Sequence, residues 1–165
     1  MSEIDDIVSR EGGLVNNPAD KGGITKYGIT KGTLSWFRNV PVTDDDIINL
    51  SLREAQDIYE ARYVKGPGFD KLPNSVLQSN MIDFGVMSGP QLAIQNLQNI
   101  LHIEADGIIG PKTIQAVEAS NLVALNAAIV KSRILMCARI CKRDPSQLVF
   151  LVGWLNRIFS FLGVN

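Results

Sequence analysis

Histidine and cysteine are almost absent, with one His, His102, and two Cys, Cys137 and Cys141, in the whole chain. So few ligands cannot build a Cys/His cluster, so no zinc site is expected, and no other metal or cofactor is expected either. His102 is expected to end a helix rather than to serve catalysis. Cys137 and Cys141 fall four residues apart on a predicted helix, a spacing that disulfide geometry seldom tolerates. Both are expected as free, partly buried thiols. Net charge is also lacking, since 16 basic and 17 acidic side chains leave −1. That balance implies no strong whole-molecule attraction to nucleic acid, to anionic polymer or to a membrane. Residues 1–10, MSEIDDIVSR, are acidic and amphipathic rather than basic and apolar, and so do not read as a secretory signal. No repeat or low-complexity segment is present. The most apolar stretch, Leu148 to Val164, is broken by Gly153, Asn156 and Arg157 and is too short for a confident transmembrane span.

What is present suits a compact enzyme. At 165 residues and 45% hydrophobic, the chain can bury one proper core. It is expected as a single compact domain over 1–165, divisible into lobes 1–65 and 74–165. The break between them falls where Gly66-Pro67-Gly68 and Pro73 mark a loop. Helices are expected over Lys31 to Arg38, over Asp44 to Asn49, and from the capping box Ser51-Leu52-Arg53-Glu54 to about Val64. Another runs from about Ser75 to Ser88, where Gly89 breaks it and Pro90 opens the next at its first position. Asn121 to Arg143 reads as one long helix with a basic distal half, and the apolar C-terminal stretch packs on it. Asp106-Gly107 and Gly110-Pro111 bracket a tight loop whose residues suit a turn; a ligand-binding role for the same loop is the alternative.

The N-terminal segment carries the chemistry. Ile4, Ile7 and Val8 lie at helical spacing, with Ser2 a cap and Glu3, Asp5 and Asp6 in the first turn. Glu11 follows Ile4 by seven residues and shares its apolar face, beside the C-terminal pair Gly12-Gly13. Partial burial and the negative end of the helix dipole both raise a carboxyl pKa there, as a general acid at neutral pH requires. A surface Glu before a flexible Gly-Gly cap is the plainer reading. Downstream, turn formers (Asn16-Asn17-Pro18, Asp20, Gly22-Gly23, Gly28) separate short β-prone pieces, which suggests a small β-hairpin or irregular loop. Asp20 could then face Glu11 across a cleft, as glycosidic cleavage by two carboxyl groups requires. Thr25, Tyr27 and Thr30 add hydroxyls for sugar or water, and Trp36 and Phe37 add rings for packing or sugar contact.

Glu11-Gly12-Gly13, Asn17-Pro18-x-Asp20-x-Gly22-Gly23-x-Thr25 and Gly28-Ile29-Thr30 together closely resemble the N-terminal motif of glycoside hydrolase family 108. Asp83-Phe84-x-Val86-x-Ser88-Gly89-Pro90, Leu97-Gln98, Asp106 to Thr113 and Gly153 to Arg157 resemble that family's C-terminal peptidoglycan-binding region. The resemblance spans nearly the whole chain. It implies a mainly α, lysozyme-like α+β fold and an N-acetylmuramidase of phage endolysin or bacterial secretion-associated type. Glu11 becomes the catalytic acid, with Asp20 and Thr25 matching the spacing of phage-type lysozymes. Tyr27, Thr30, Asp83 and Ser88 become substrate contacts. Where relatives often carry Asn, this chain has Met87, which removes a polar group from that position.

The resemblance further implies peptidoglycan glycan strands as the partner and a monomer that waits in the host cytoplasm for release to the wall. Two other readings stay open. One is a non-catalytic peptidoglycan-binding or secretion-accessory protein of the same fold, and the other is a lytic transglycosylase. Membrane contact by the C-terminal segment is the sharper alternative to simple core packing.

Overall fold

The computed structural model describes residues 13–15 and 24–162. The expected first helix, Glu11 and Asp20 lie outside the described residues. The fold is mainly α with one small sheet, as the sequence implied, and the chain divides into two compact units, Met1–Arg62 and Tyr63–Asn165. The division comes just before the Gly66 to Pro73 loop that the sequence offered as a boundary.

In the first unit, β1 (Leu14–Val15), β2 (Thr25–Lys26) and β3 (Ile29–Thr30) form an antiparallel sheet in the order β1-β2-β3. Helix α1 (Lys31–Arg38) follows β3 without a gap, because the Thr30 hydroxyl accepts from the Thr33 amide and caps the first turn. It ends on Asn39 in the left-handed conformation that asparagine tolerates (φ 55°). Helix α2 (Asp44–Ile48) opens with a reciprocal capping box, Thr43 with Asp46. Helix α3 (Leu52–Glu60) is capped by Ser51 and runs on as a π-helical turn over Ala61–Lys65. The second half of the box expected here is not what Glu54 does. Its carboxylate turns to Arg38, accepting from Nε at 2.8 Å and Nη2 at 2.9 Å, while Arg38 Nη1 donates to Asp46 at 2.7 Å. Ile29, Leu34, Ile47, Leu50 and Ile58 are the buried centre of this unit.

Every regular element among the described residues of the second unit is a helix. Helix α4 (Ser75–Ser88) is capped by Asn74 and stopped by Gly89, whose φ of 88° suits glycine. Pro90 then starts α5 (Pro90–Ile100) at N1. His102 does close that helix, in a left-handed conformation (φ 56°) that lets the Ile103 amide reach back to the Gln98 carbonyl at 3.1 Å. Helix α6 (Pro111–Glu118) again begins on a proline. Helix α7 (Leu122–Arg143) is the long helix expected, and α8 (Leu148–Phe159) packs on it through Leu151, Trp154 and Ile158. Cys137 and Cys141 are free and buried on α7. Among the described residues no single helix is long and apolar enough to cross a membrane.

Candidate functional site

The hairpin joining β2 to β3 turns in two residues, Tyr27 (φ 53°) and Gly28 (φ 71°). Both φ values are positive, as the turns that match strand twist require. Gly28 takes this freely. Tyr27 does not, and its backbone is held by the Tyr59 hydroxyl, which donates to the Tyr27 carbonyl at 3.1 Å. The Lys26 ammonium lies 5.6 Å from the Tyr27 ring centre and donates to the Ile48 carbonyl at 2.8 Å. The register pairs Thr25 with Thr30 and Lys26 with Ile29. Directly opposed residues share a face, so Thr25 and Thr30 stand together while Ile29, on the other face, enters the core.

From Thr30 the surface continues into an open cleft lined by Gly32, Thr33, Trp36 and Arg62. The Arg62 guanidinium donates to the Thr33 hydroxyl at 2.9 Å, and the Thr30 and Thr33 hydroxyls lie 3.1 Å apart. Trp36 is 57% exposed. Hydroxyls and a guanidinium around a bare indole match a sugar ring, which has a polar rim and an apolar C–H face. Gly32 lines the cleft at the start of α1, and an added Cβ there would reach only the Thr30 hydroxyl oxygen, at 3.8 Å. The structure therefore brings Thr25 and Thr30 together beside Trp36, with Tyr27 in the adjoining turn. Thr33 and Arg62 were not anticipated. The first could have been found as the cap partner three residues after Thr30; nothing local marks the second.

Asp83 and Ser88 belong to the other unit. The expectation that Asp83 contacts substrate is corrected, because the residue is only 1% exposed. Its two oxygens accept from Arg133 Nη2 and from Arg157 Nε, the latter at 2.5 Å, and Arg133 Nη1 donates to Asn80 Oδ1 at 2.7 Å. The physical reason is that α4 is covered on nearly every side, with Asn80, Met81, Ile82, Asp83, Phe84 and Gly85 all buried. A charge there must find partners inside the protein. Ser88, half-buried at the end of α4, borders a small cavity of its own unit.

The loop from Asp106 to Pro111 is a structural turn built on a residue from α5. The buried Gln98 amide donates to Asp106 Oδ1 at 2.7 Å and to the Ile108 carbonyl at 3.0 Å, and its oxygen accepts from the Gly107 amide at 2.9 Å. Asp106 also accepts from the Ile108 amide. Its carboxyl is held below the usual range, first by Gln98 and then by that amide. In the first unit Arg38 does the same to Glu54, whose carboxyl is lowered chiefly by that hydrogen bond.

Residues 4–89 match the family model described as Glycosyl hydrolase 108. Residues 92–159 match the model described as Predicted Peptidoglycan domain. Among solved structures the chain is similar to "Structure of Brucella abortus SagA", at 31% identity and a TM-score of 0.77, over 97% of this chain and 89% of that one. No curated protein matches.

Proposed function

The chain belongs to the glycosyl hydrolase 108 family, and from that premise we propose that it cuts the β-1,4 bond between N-acetylmuramic acid and N-acetylglucosamine by hydrolysis. Family membership itself carries a glycoside hydrolase-type domain followed by a peptidoglycan domain. The single observation that supports the finer reading is the open cleft of Thr30, Thr33, Trp36 and Arg62. It lies inside the matched segment that also contains Glu11, Asp20 and Thr25.

In this reading Glu11 is the general acid. It gives its proton to the glycosidic oxygen as the bond from that oxygen to the anomeric carbon of muramic acid breaks. Asp20 stays ionised and either activates the attacking water or stabilises the oxocarbenium-like transition state. Thr25 holds the water, while Tyr27, Thr30 and Trp36 contact the sugars. Water supplies the new bond to the anomeric carbon, and each cut leaves one reducing muramic acid end.

Mass spectrometry of digested, purified peptidoglycan tests this directly. Fragments with reducing N-acetylmuramic acid ends are expected. Anhydro ends would make the protein a lytic transglycosylase, peptide-bond products an amidase, and no products a non-catalytic binder.

A further inference from the structure

A cavity in the second unit is bordered by α4, α7 and α8. Its open space is about 90 Å³, several times what one water needs. Its walls are Met136, Cys137, Ile140, Trp154 and Ile158, and its polar end is Arg133 with Arg157. Burial pushes the Cys137 thiol above its ordinary pKa, so it stays neutral and adds no negative charge.

The charge at the polar end is uneven. Two guanidinium groups share the carboxylate of Asp83, which leaves one positive charge over among the described residues. Arg133 commits both terminal nitrogens, to Asn80 and Asp83, and the rings of Phe84 and Phe161 lie 5.2 and 5.4 Å from its guanidinium carbon. Arg157 does not. Its Nε serves Asp83, while Nη1 and Nη2 hold no partner among the described residues. A half-used arginine fork beside an apolar space is suited to a single carboxylate taken two-pronged.

We propose that this cavity binds the C-terminal carboxylate of a short alanine-ended peptide, with Arg157 gripping the carboxylate and the apolar wall taking the methyl groups. A hydroxyl-rich sugar would leave its donors unpaired against Met136, Ile140 and Ile158. A phosphate dianion would exceed the one spare charge. Within peptidoglycan, the stem-peptide terminus is the part that joins a free carboxylate to nothing bulkier than methyl. The choice of peptide therefore rests on the peptidoglycan reading above, although the cavity itself does not. The site would hold the wall by its peptides while the other unit acts on its sugars.

Titration calorimetry of the full chain with diacetyl-lysyl-D-alanyl-D-alanine, followed also by tryptophan fluorescence, tests the assignment. One-to-one binding is expected, weakened at least about tenfold when the peptide carboxylate is replaced by its amide, the loss of one charge-assisted pair. Arg157→Lys removes the fork but keeps the charge. Ile140→Trp fills the cavity without touching the ion pairs. Each should weaken binding by a similar factor. Equal affinity for acid and amide, binding indifferent to Ile140→Trp, or no saturation by about 10 mM peptide would overturn the proposal. Glycan cleavage measured on the same protein keeps the two ideas apart. Cleavage without peptide binding removes this site alone, whereas peptide binding without cleavage removes the hydrolase reading alone.

Discussion

At the scale of single residues, burial decides what a charged side chain can do. Asp83 and Thr25 were both expected at the substrate, yet one is sealed between Arg133 and Arg157 and the other stands on an accessible sheet face. Nothing local distinguishes them in the sequence, because the partners of Asp83 lie 50 and 74 residues away along the chain. Asp83→Asn should therefore cost stability rather than substrate affinity. It leaves Arg133 buried with no counter-charge, a loss of roughly 3 kcal/mol in urea unfolding. Unchanged unfolding with a raised KM would return Asp83 to the substrate. Asp20 poses the opposite question. If it is the ionised base, Asp20→Asn cuts turnover while wall binding persists. If it only caps the Gly22-Gly23 turn, asparagine caps as well and activity is equal to wild type across pH 5 to 8.

At the scale of elements, local signals served well and long-range competition explains the exceptions. Lys31–Arg38 and Leu122–Arg143 were legible because a capping residue, an apolar stripe and a stop all fall within a few turns. The Gly89-Pro90 break was legible for the same reason. The box at Ser51 was only half right, since Arg38, 16 residues before Glu54, offers its carboxylate a two-pronged ionic partner stronger than a backbone amide. That network makes a prediction about pH. The pKa of Glu54 is lowered in the folded state, by Arg38 first, and that of Asp46 is lowered by Thr43 first and then Arg38. A lowered folded pKa gives stability that is present above the unfolded value and lost as pH falls through the folded one. Glu54, from its ordinary 4.5 downward, should weaken the fold progressively. Arg38→Met should lower stability at pH 7 by about 1 kcal/mol, the network being partly solvent-screened. It should also flatten the fall in melting temperature between about pH 5 and pH 3. A variant whose acid profile runs parallel to that of wild type would mean the network is inert.

At the scale of the whole molecule, the chain holds two compact units. The mainly α fold and the small sheet were legible from composition, helix periodicity and turn formers, and the family from combined motifs in both units. The cleft was legible only in part. Thr30 and Trp36 announced themselves as a hydroxyl and an aromatic, whereas Arg62 reaches Thr33 through the fold, 29 residues on. The cavity at Arg157 was not legible at all, because it is assembled from three helices distant in sequence. In the proposed reaction one carboxyl group, Glu11, supplies the proton for glycan cleavage. Its direct test is the turnover of purified peptidoglycan by Glu11→Gln, read beside thermal unfolding of the same preparation. The amide keeps shape but has no proton to give, so turnover should fall at least about 100-fold while the unfolding transition stays at that of wild type. A folded Glu11→Gln protein that still cleaves the wall at most of the wild-type rate would contradict the claim.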